Sequence, residues 1–196
     1  MSKASDLARL LNADGEIQAA DIEDGVVTAA KLASTLDLSG KTITNMNPSG
    51  IYLGGTGAAN YLDDYEEGTW TPVFEATTTN FTSVTYNGAQ HKGYYVKVGN
   101  IVHITMFTRI DAFSGGSGNV QITGLPFTVG STGSSGTGAA GYAQHWNSSF
   151  SVHVSTSSNI IYLFKDGLFT TRVTVTDMRN SNDSNQIPLS LSYRVD

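Results

Sequence analysis

Large aromatic side chains are confined to one part of this sequence. All eight phenylalanines and both tryptophans lie within residues 66–196, whereas residues 1–65 contain three tyrosines as their only large aromatics. Aromatic side chains supply much of the apolar burial in a small core. The sequence therefore predicts a core-forming domain at 66–196 and an N-terminal part, 1–65, that cannot build a core by itself.

Composition excludes several classes of function. Charged residues make up 14% of the chain and the formal net charge is -6, without any basic run, so a nucleic-acid partner is not expected. The absence of cysteine excludes disulfides and thiolate metal sites. No apolar stretch reaches the roughly 18 residues of a membrane span, and the first residues lack an apolar signal core. We expect no cofactor and no membrane insertion.

The start of the chain predicts a short amphipathic helix. Within Ser2–Leu11, the side chains of Leu7, Leu10 and Leu11 fall on one face. A helix of about ten residues is marginal alone in water, so its apolar stripe needs a partner. That partner is another part of the same chain, other copies of the chain, or a different protein on which the helix docks.

The following segment reads as a thin stalk. Single apolar residues such as Ile17 and Ile22 are spread evenly, a second short helix is predicted from Thr28 to Leu36, and Leu38–Met46 alternates like a strand. Such elements bury too little surface to fold as a monomer, whereas several copies wound together bury their side chains between chains. The candidate docking residues are Leu7, Leu10, Leu11, Ile17 and Ile22.

Four segments resemble phage tail-fibre and head-fibre proteins. They are Asp24–Ala33 (DGVVTAAKLA), Gly54–Pro72, which ends in LDDYEEGTWTP, Gly93–Val102 (GYYVKVGNIV), and Leu125–Phe127. Together they cover roughly residues 16–130. The resemblance implies a virion protein with an extended stalk, assembled as an intertwined homotrimer.

The resemblance leaves two attachments open. In one, the chain is a short tail fibre whose N-terminus docks on the tail and whose head binds a host surface polysaccharide or protein. In the other, it is a capsid-attached head fibre with a structural or weakly adhesive role. A free carbohydrate-binding module is disfavoured by the fibre-like front of the chain and by the lack of a signal segment.

Short strand signals separated by Gly, Ser and Asn turns dominate the rest of the chain. They predict an all-β fold, a C-terminal antiparallel β-sandwich (jelly-roll-like) head. Gly99-Asn100 predicts a hairpin turn, and Ile101–Ile110 carries apolar residues on both faces, which indicates a central strand covered on both sides. The Gly/Ser-rich runs at 114–118 and 130–138 are expected to be flexible, solvated connectors, with a role as binding loops as the alternative.

The sequence shows no catalytic constellation. The four histidines are not spaced as metal ligands, and the Gly-rich runs lack a phosphate-loop lysine. The acidic pairs Asp63-Asp64 and Glu66-Glu67 are expected to serve solvation or hydrogen bonding, with calcium binding as the weaker alternative. We therefore expect a non-enzymatic protein without a metal site.

Two polar segments are the candidate receptor surface. Sugar recognition needs an exposed aromatic face with polar groups beside it, and an aromatic and amide cluster meets that need at 142–149. The alternative for its tryptophan is burial in the core, which is usual in a small sandwich. A second amide-rich stretch begins at Arg179. The candidate contact residues are Tyr142, His145, Trp146, Asn147, Asn180, Asn182 and Asp183.

Overall fold

The computed structural model describes residues 50–165, 170–179 and 184–196. In these ranges the chain is built of antiparallel strands and two single-turn 3₁₀ helices, so the all-β prediction is confirmed. The strands are β1 (Ile51–Tyr52), β2 (Tyr61–Leu62), β3 (Tyr65–Trp70), β4 (Val73–Ala76), β5 (Thr79–Val98), β6 (Ile101–Ser117), β7 (Val120–Thr123), β8 (Gly136–Ala140), β9 (Phe150–Val154), β10 (Ile161–Lys165) and β11 (Asn185–Arg194). The 3₁₀ helices are Ala58–Asn60 and Val175–Asp177.

Nine strands form a single continuous sheet in the order β3-β5-β6-β11-β8-β9-β10-β7-β4. The sequence predicts two stacked sheets, and the structure instead curls one sheet so that its inner face encloses the core. The most deeply buried large side chains all lie on this inner face or pack beneath it. They include Ile104, Ile110, Ile122, Ile161, Leu163 and Ile187.

The curl is fixed by the link between the two edge strands, β3 and β4. The sequence predicts one strand at Thr69–Ala76, but pairing stops at Trp70 and resumes at Val73 on the opposite edge of the sheet. Pro72 has no N–H to donate to a ladder, which explains the break. Because an extended residue spans at most about 3.6 Å, the connected ends of the two edges lie within about 11 Å of each other.

Contacts across the curl hold the edges together. The backbone N–H of Phe74 on β4 donates to the hydroxyl of Tyr86 on β5 at 2.8 Å. Gly124 has φ +92°, and a Cβ at this position would lie 2.5 Å from the carbonyl oxygen of Thr71. Position 124 therefore requires glycine, because its φ is positive and because the crossing chain leaves no room for a Cβ.

The hairpin predicted at Gly99-Asn100 is confirmed. Val98 pairs with Ile101, and Gly99 has φ +55°, the left-handed conformation that such turns require. In β6 the side chains of Val102, Ile104 and Met106 are buried, as expected. The prediction that this strand is covered on both sides is wrong for the single chain, because Ile101 on the opposite face is exposed.

The Gly/Ser-rich runs are not simple connectors. Residues 114–117 continue β6 through a bulged pairing with β5, where Gly115 and Gly116 have positive φ. Residues 136–138 begin β8, which pairs with β11. A Cβ on Gly138 would collide with the carbonyl oxygen of Ser190, so glycine permits the close approach of these two strands.

The sequence also predicts strands at Gly141–His145 and Phe169–Thr176, but no strand forms in the described residues of either segment. Gln144 makes one isolated bridge, to Gln186, and Arg172 and Thr174 make isolated bridges that precede the second 3₁₀ helix. The Asp166-Gly167 turn lies outside the described residues, although its flanks pair as a hairpin requires, Lys165 N–H with the Thr171 carbonyl at 2.8 Å.

The predicted N-terminal features lie outside the described residues, apart from residues 50–65. This group includes the helix, the stalk and the docking residues Leu7, Leu10, Leu11, Ile17 and Ile22. Within 50–65, β1 and β2 form a separate two-stranded sheet, and Tyr65 already belongs to β3. The domain boundary near residue 65 stays a prediction.

Candidate functional site

The segment 142–147 runs antiparallel to the start of β11. Gln144 and Gln186 exchange both backbone hydrogen bonds, at 3.0 and 3.2 Å. Tyr142 precedes this bridge with 48% of its surface exposed, and its hydroxyl lies 3.5 Å from Oε1 of Gln186. The backbone pairing therefore presents a tyrosine ring and two amide side chains on one surface.

Trp146 is buried, which is the second of the two alternatives that the sequence leaves open. Only 6% of this residue is exposed, and its ring packs against Phe74 and Phe150 with centroid distances of 6.3 and 5.3 Å. The indole is thus part of the core and is not available to a receptor. Burial of a large aromatic in a small β fold is favourable, and here it anchors the neighbouring polar residues.

The two polar segments predicted from the sequence meet at Asn147 and Arg179. Nε of Arg179 donates to Oδ1 of Asn147 at 3.1 Å, and Nδ2 of Asn147 donates to the carbonyl of Thr176 at 3.2 Å. The backbone of Trp146 bridges to Met178. Side-chain and backbone contacts therefore hold residues 142–147 beside residues 176–179.

Asn185 closes the second segment at its base. Its side chain accepts from the backbone N–H of Arg179 at 2.9 Å and donates to the Arg179 carbonyl at 2.6 Å. Asn180, Asn182 and Asp183 lie in the interval between these two residues but outside the described residues. Their role as receptor contacts stays a prediction.

His145 lies between the exposed and buried parts of the segment. Its φ is +62°, and its Nε2 lies 3.1 Å from Nε2 of the Gln144 side chain. A histidine in the left-handed conformation is unusual and indicates a backbone constrained on both sides. The bridges at Gln144 and Trp146 supply that constraint.

A buried carboxylate fixes the turn beneath Asn147. Asp177 accepts hydrogen bonds at Oδ2 from the backbone N–H and the hydroxyl of Thr174, at 2.7 and 2.8 Å, and from Nζ of Lys165 at 2.6 Å. The Asp177 carbonyl in turn accepts the backbone N–H of Asn147 at 2.8 Å. Burial alone would raise the pKa of this carboxyl, but the bonds from Lys165 and Thr174 outweigh burial and hold the pKa below its ordinary value.

Asp177→Asn is expected to lower the free energy of unfolding at neutral pH by about 1–3 kcal/mol, because a largely buried ammonium group loses its charged partner. A depressed folded-state pKa stabilises the fold above the unfolded-state pKa of about 3.9, and this contribution disappears as the pH falls through the folded-state value. Urea unfolding at a series of pH values should therefore show that the free energies of unfolding of the unchanged protein and of the Asp177→Asn variant become equal in acid. A gap that stays constant with pH would contradict the assignment.

Asp111→Asn is the matched control for that experiment. Asp111 pairs with Arg109 at 2.6 Å, but about a third of each side chain is exposed. Solvent screening weakens such pairs, so the change should cost less than about 1 kcal/mol.

The sequence missed Arg179, Gln144 and Gln186 as site residues. Arg179 could have been predicted from its position at the start of the amide-rich stretch. The two glutamines could not, because only the long-range backbone bridge between them places them at the site. We group these three residues with Tyr142 and Asn147 as the Tyr142 surface, because Tyr142 and Gln144 contact Gln186 and Asn147 contacts Arg179. An aromatic face beside amides and a guanidinium can stack on a sugar ring and hydrogen-bond its hydroxyls.

Three of the four residues in the acidic pairs make structural contacts. Asp64 pairs with Lys97, Glu66 accepts from the Tyr95 hydroxyl, and Glu67 accepts from the Tyr65 hydroxyl at 2.8 Å. These bonds agree with the expected hydrogen-bonding role. Among the described residues, no group of three or more His, Cys, Asp or Glu side chains is placed to hold a metal ion. The described part of the chain also has no helix of a length and apolarity that would suit a bilayer span.

Comparison with known proteins yields a likeness of fold. No family model matches the sequence, and no curated protein matches it. Among solved structures, the crystal structure of the Dettilon tailspike protein is similar with a TM-score of 0.53 at 16% sequence identity. The match covers 66% of this chain and 24% of that chain, so about two thirds of this chain correspond to about a quarter of the tailspike.

Proposed function

We propose that this chain is a non-enzymatic structural protein of a phage particle, a short tail fibre. Its N-terminal part docks on the particle and its β head binds a host surface receptor, with a polysaccharide as the favoured ligand. The observation that carries this proposal is the structural likeness of about two thirds of this chain to part of a tailspike. The fibre-like segments Asp24–Ala33 and Gly54–Pro72 support it independently.

The Tyr142 surface is the proposed receptor contact. It offers a ring that is 48% exposed, side-chain amides from Gln144 and Asn147, and the guanidinium of Arg179. The underlying backbone is held by the Gln144–Gln186 bridge and by the Asp177 turn, so the surface is preorganised. Preorganised groups lose less conformational entropy on binding.

A homotrimer is the proposed assembly. A trimer carries three copies of the Tyr142 surface, so each site can be weak while the particle binds tightly. Shallow polar surfaces of this kind suit weak, repeated contacts to a polysaccharide chain, in which the same sugar unit recurs.

The test of the proposal is binding of the purified full-length chain to cells of the host, with competition by the isolated surface polysaccharide. Saturable binding that the polysaccharide displaces supports a receptor-binding fibre. Absence of binding at micromolar concentration, for a chain that is folded by circular dichroism, would contradict it. Cryo-electron microscopy of the particle distinguishes attachment at the tail from attachment at the capsid, where a head fibre would stand.

Deletion of residues 1–30 is expected to abolish incorporation into the particle while the head remains folded. The deletion removes all five candidate docking residues but leaves the strands from Ile51 onward intact. Mass spectrometry of purified particles measures the incorporation, and tryptophan fluorescence of the purified variant checks the head. Normal incorporation of the shortened chain would remove the docking role.

A further inference from the structure

The outer face of β3, β5 and β6 carries an exposed apolar patch. Five apolar side chains on this face are between 38% (Val96) and 61% (Tyr65) exposed. The strand register places them together, because Tyr65 pairs with Val98 and Val98 pairs with Ile101. We call this group the outer patch; it consists of Tyr65, Tyr94, Val96, Val98 and Ile101.

The patch has the composition of a protein contact. Three of its members are aliphatic β-branched residues, which offer no hydrogen bonds to a sugar or to water, and two are tyrosines, which are enriched in interfaces. Isolated exposed apolar residues are normal, but a contiguous group marks an interaction site. Beside Val96, a depression of about 410 Å³ between Thr69 and Tyr94 can receive a protruding side chain.

Charges of opposite sign border the patch. Glu67 lies on β3 at one side, next to Val96 in the register. Arg194 lies on β11 at the other side, next to Ile101 in the register. Three strand spacings, about 14 Å, separate these borders, so the two charges do not pair within one chain. When a second copy places its acidic border on the basic border of the first, the apolar centres are covered together.

We propose that the outer patch is a contact surface for a second copy of this chain. The proposal rests on the homotrimer of the proposed function and identifies the face through which its heads associate. It accounts for the strand Ile101–Ile110, whose sequence carries apolar residues on both faces although the single chain covers only one of them. An unfilled apolar face on a particle exposed to solvent would favour non-specific aggregation, and burial between copies removes that hazard.

Single cysteines test the proposal, because the chain has none of its own. Val98→Cys lies in the outer patch, and Val73→Cys on β4 is its matched control, since the two valines are 45% and 40% exposed in the single chain. In the assembled full-length protein, maleimide labelling of the cysteine at 98 should be at least about ten-fold slower than labelling at 73. In urea the two rates should be equal. Equal rates in the native protein would overturn the proposal.

Charge variants provide a second measurement. Glu67→Arg and Arg194→Glu should each weaken self-association of the full-length chain in sedimentation velocity experiments, and the double variant should restore it. Single variants without effect, or a double variant weaker than either single one, would overturn the charge-complementary arrangement. Protection of the cysteine at 98 only after host polysaccharide is added would assign the patch to the ligand, and this result also overturns the proposal.

The same samples separate this inference from the proposed function. Free labelling at residue 98 in a chain that still binds host cells refutes the interface and leaves receptor binding intact. A protected residue 98 in a chain that does not bind cells supports the interface and refutes receptor binding.

Discussion

Gly93→Ala is expected to lower the free energy of unfolding by about 2–4 kcal/mol, because the added methyl group would collide with a buried indole ring. Gly93 on β5 pairs directly with Trp70 on the edge strand β3, and the indole ring lies over the glycine. A Cβ on Gly93 would fall 2.6 Å from Cδ1 of Trp70 and closer still to Nε1. The buried ring must therefore move, and displacement of a packed side chain costs on this order.

Chemical denaturation of the full-length protein measures this effect, and Gly88→Ala is the matched control. Gly88 lies on the same strand and has no positive φ, and a methyl group added there would have open space for 4 Å around it. Its replacement should therefore change stability by less than about 0.5 kcal/mol. In a double-mutant cycle, Trp70→Ala should make Gly93→Ala nearly neutral, since the clashing ring is gone. Additive effects would contradict the proposed clash.

The segment around Trp70 shows which features of the fold the sequence predicts and which it does not. Alternation at Trp70, Pro72 and Phe74 predicts which side chains are buried, and all three are. The same alternation holds whether the chain continues as one strand or crosses between two sheet edges, because side-chain direction repeats every two residues in both cases. Pro72 marks the break locally, but the pairing of Val73–Ala76 with β7 on the opposite edge joins residues about 50 positions apart, and no local pattern reveals it.

Two glycines that the sequence assigns to flexible connectors lie in closely packed strands. Gly115 and Gly138 read locally as flexible linkers, but each lies in a strand where a neighbouring group fills the space that a side chain would need. Such positions are defined by the partner strand, and the partner is distant in sequence. Hairpin turns such as Gly99-Asn100 are local, which explains why that prediction is confirmed.

In the candidate site too, local features are predictable from the sequence and contacts between distant residues are not. Local composition identified both polar segments, at Tyr142–Asn147 and from Arg179 onward. Their contact through Asn147 and Arg179 joins residues 32 positions apart and could not be derived from either segment alone. Trp146 was ambiguous in the sequence because its burial depends on Phe74 and Phe150, which reach it from other strands.

Tyr142→Ala is expected to lower the apparent affinity of the trimer for host polysaccharide by a much larger factor than it lowers the affinity of one site for a sugar. Loss of one sugar-stacking ring costs about 1.4 kcal/mol, a factor of ten at each site. If three sites engage one polysaccharide surface together, the losses combine toward a thousand-fold change in apparent affinity. Arg179→Ala should act in the same direction, since it removes a hydrogen-bond donor from the same surface and releases Asn147.

Two measurements together distinguish the site effect from the avidity effect. Titration with a short soluble oligosaccharide reports one site, where Tyr142→Ala should cost about ten-fold, and binding to a densely coated polysaccharide surface reports the assembly. Tyr52→Ala is the control, because Tyr52 is a similarly exposed tyrosine, at 54%, on the separate sheet of β1 and β2. If the control weakens binding as much as Tyr142→Ala, or if neither does, the Tyr142 surface is not the receptor contact. If Tyr142→Ala has the same ten-fold effect in both formats, the surface binds sugar but the heads do not engage it together, since simultaneous engagement is what multiplies the loss.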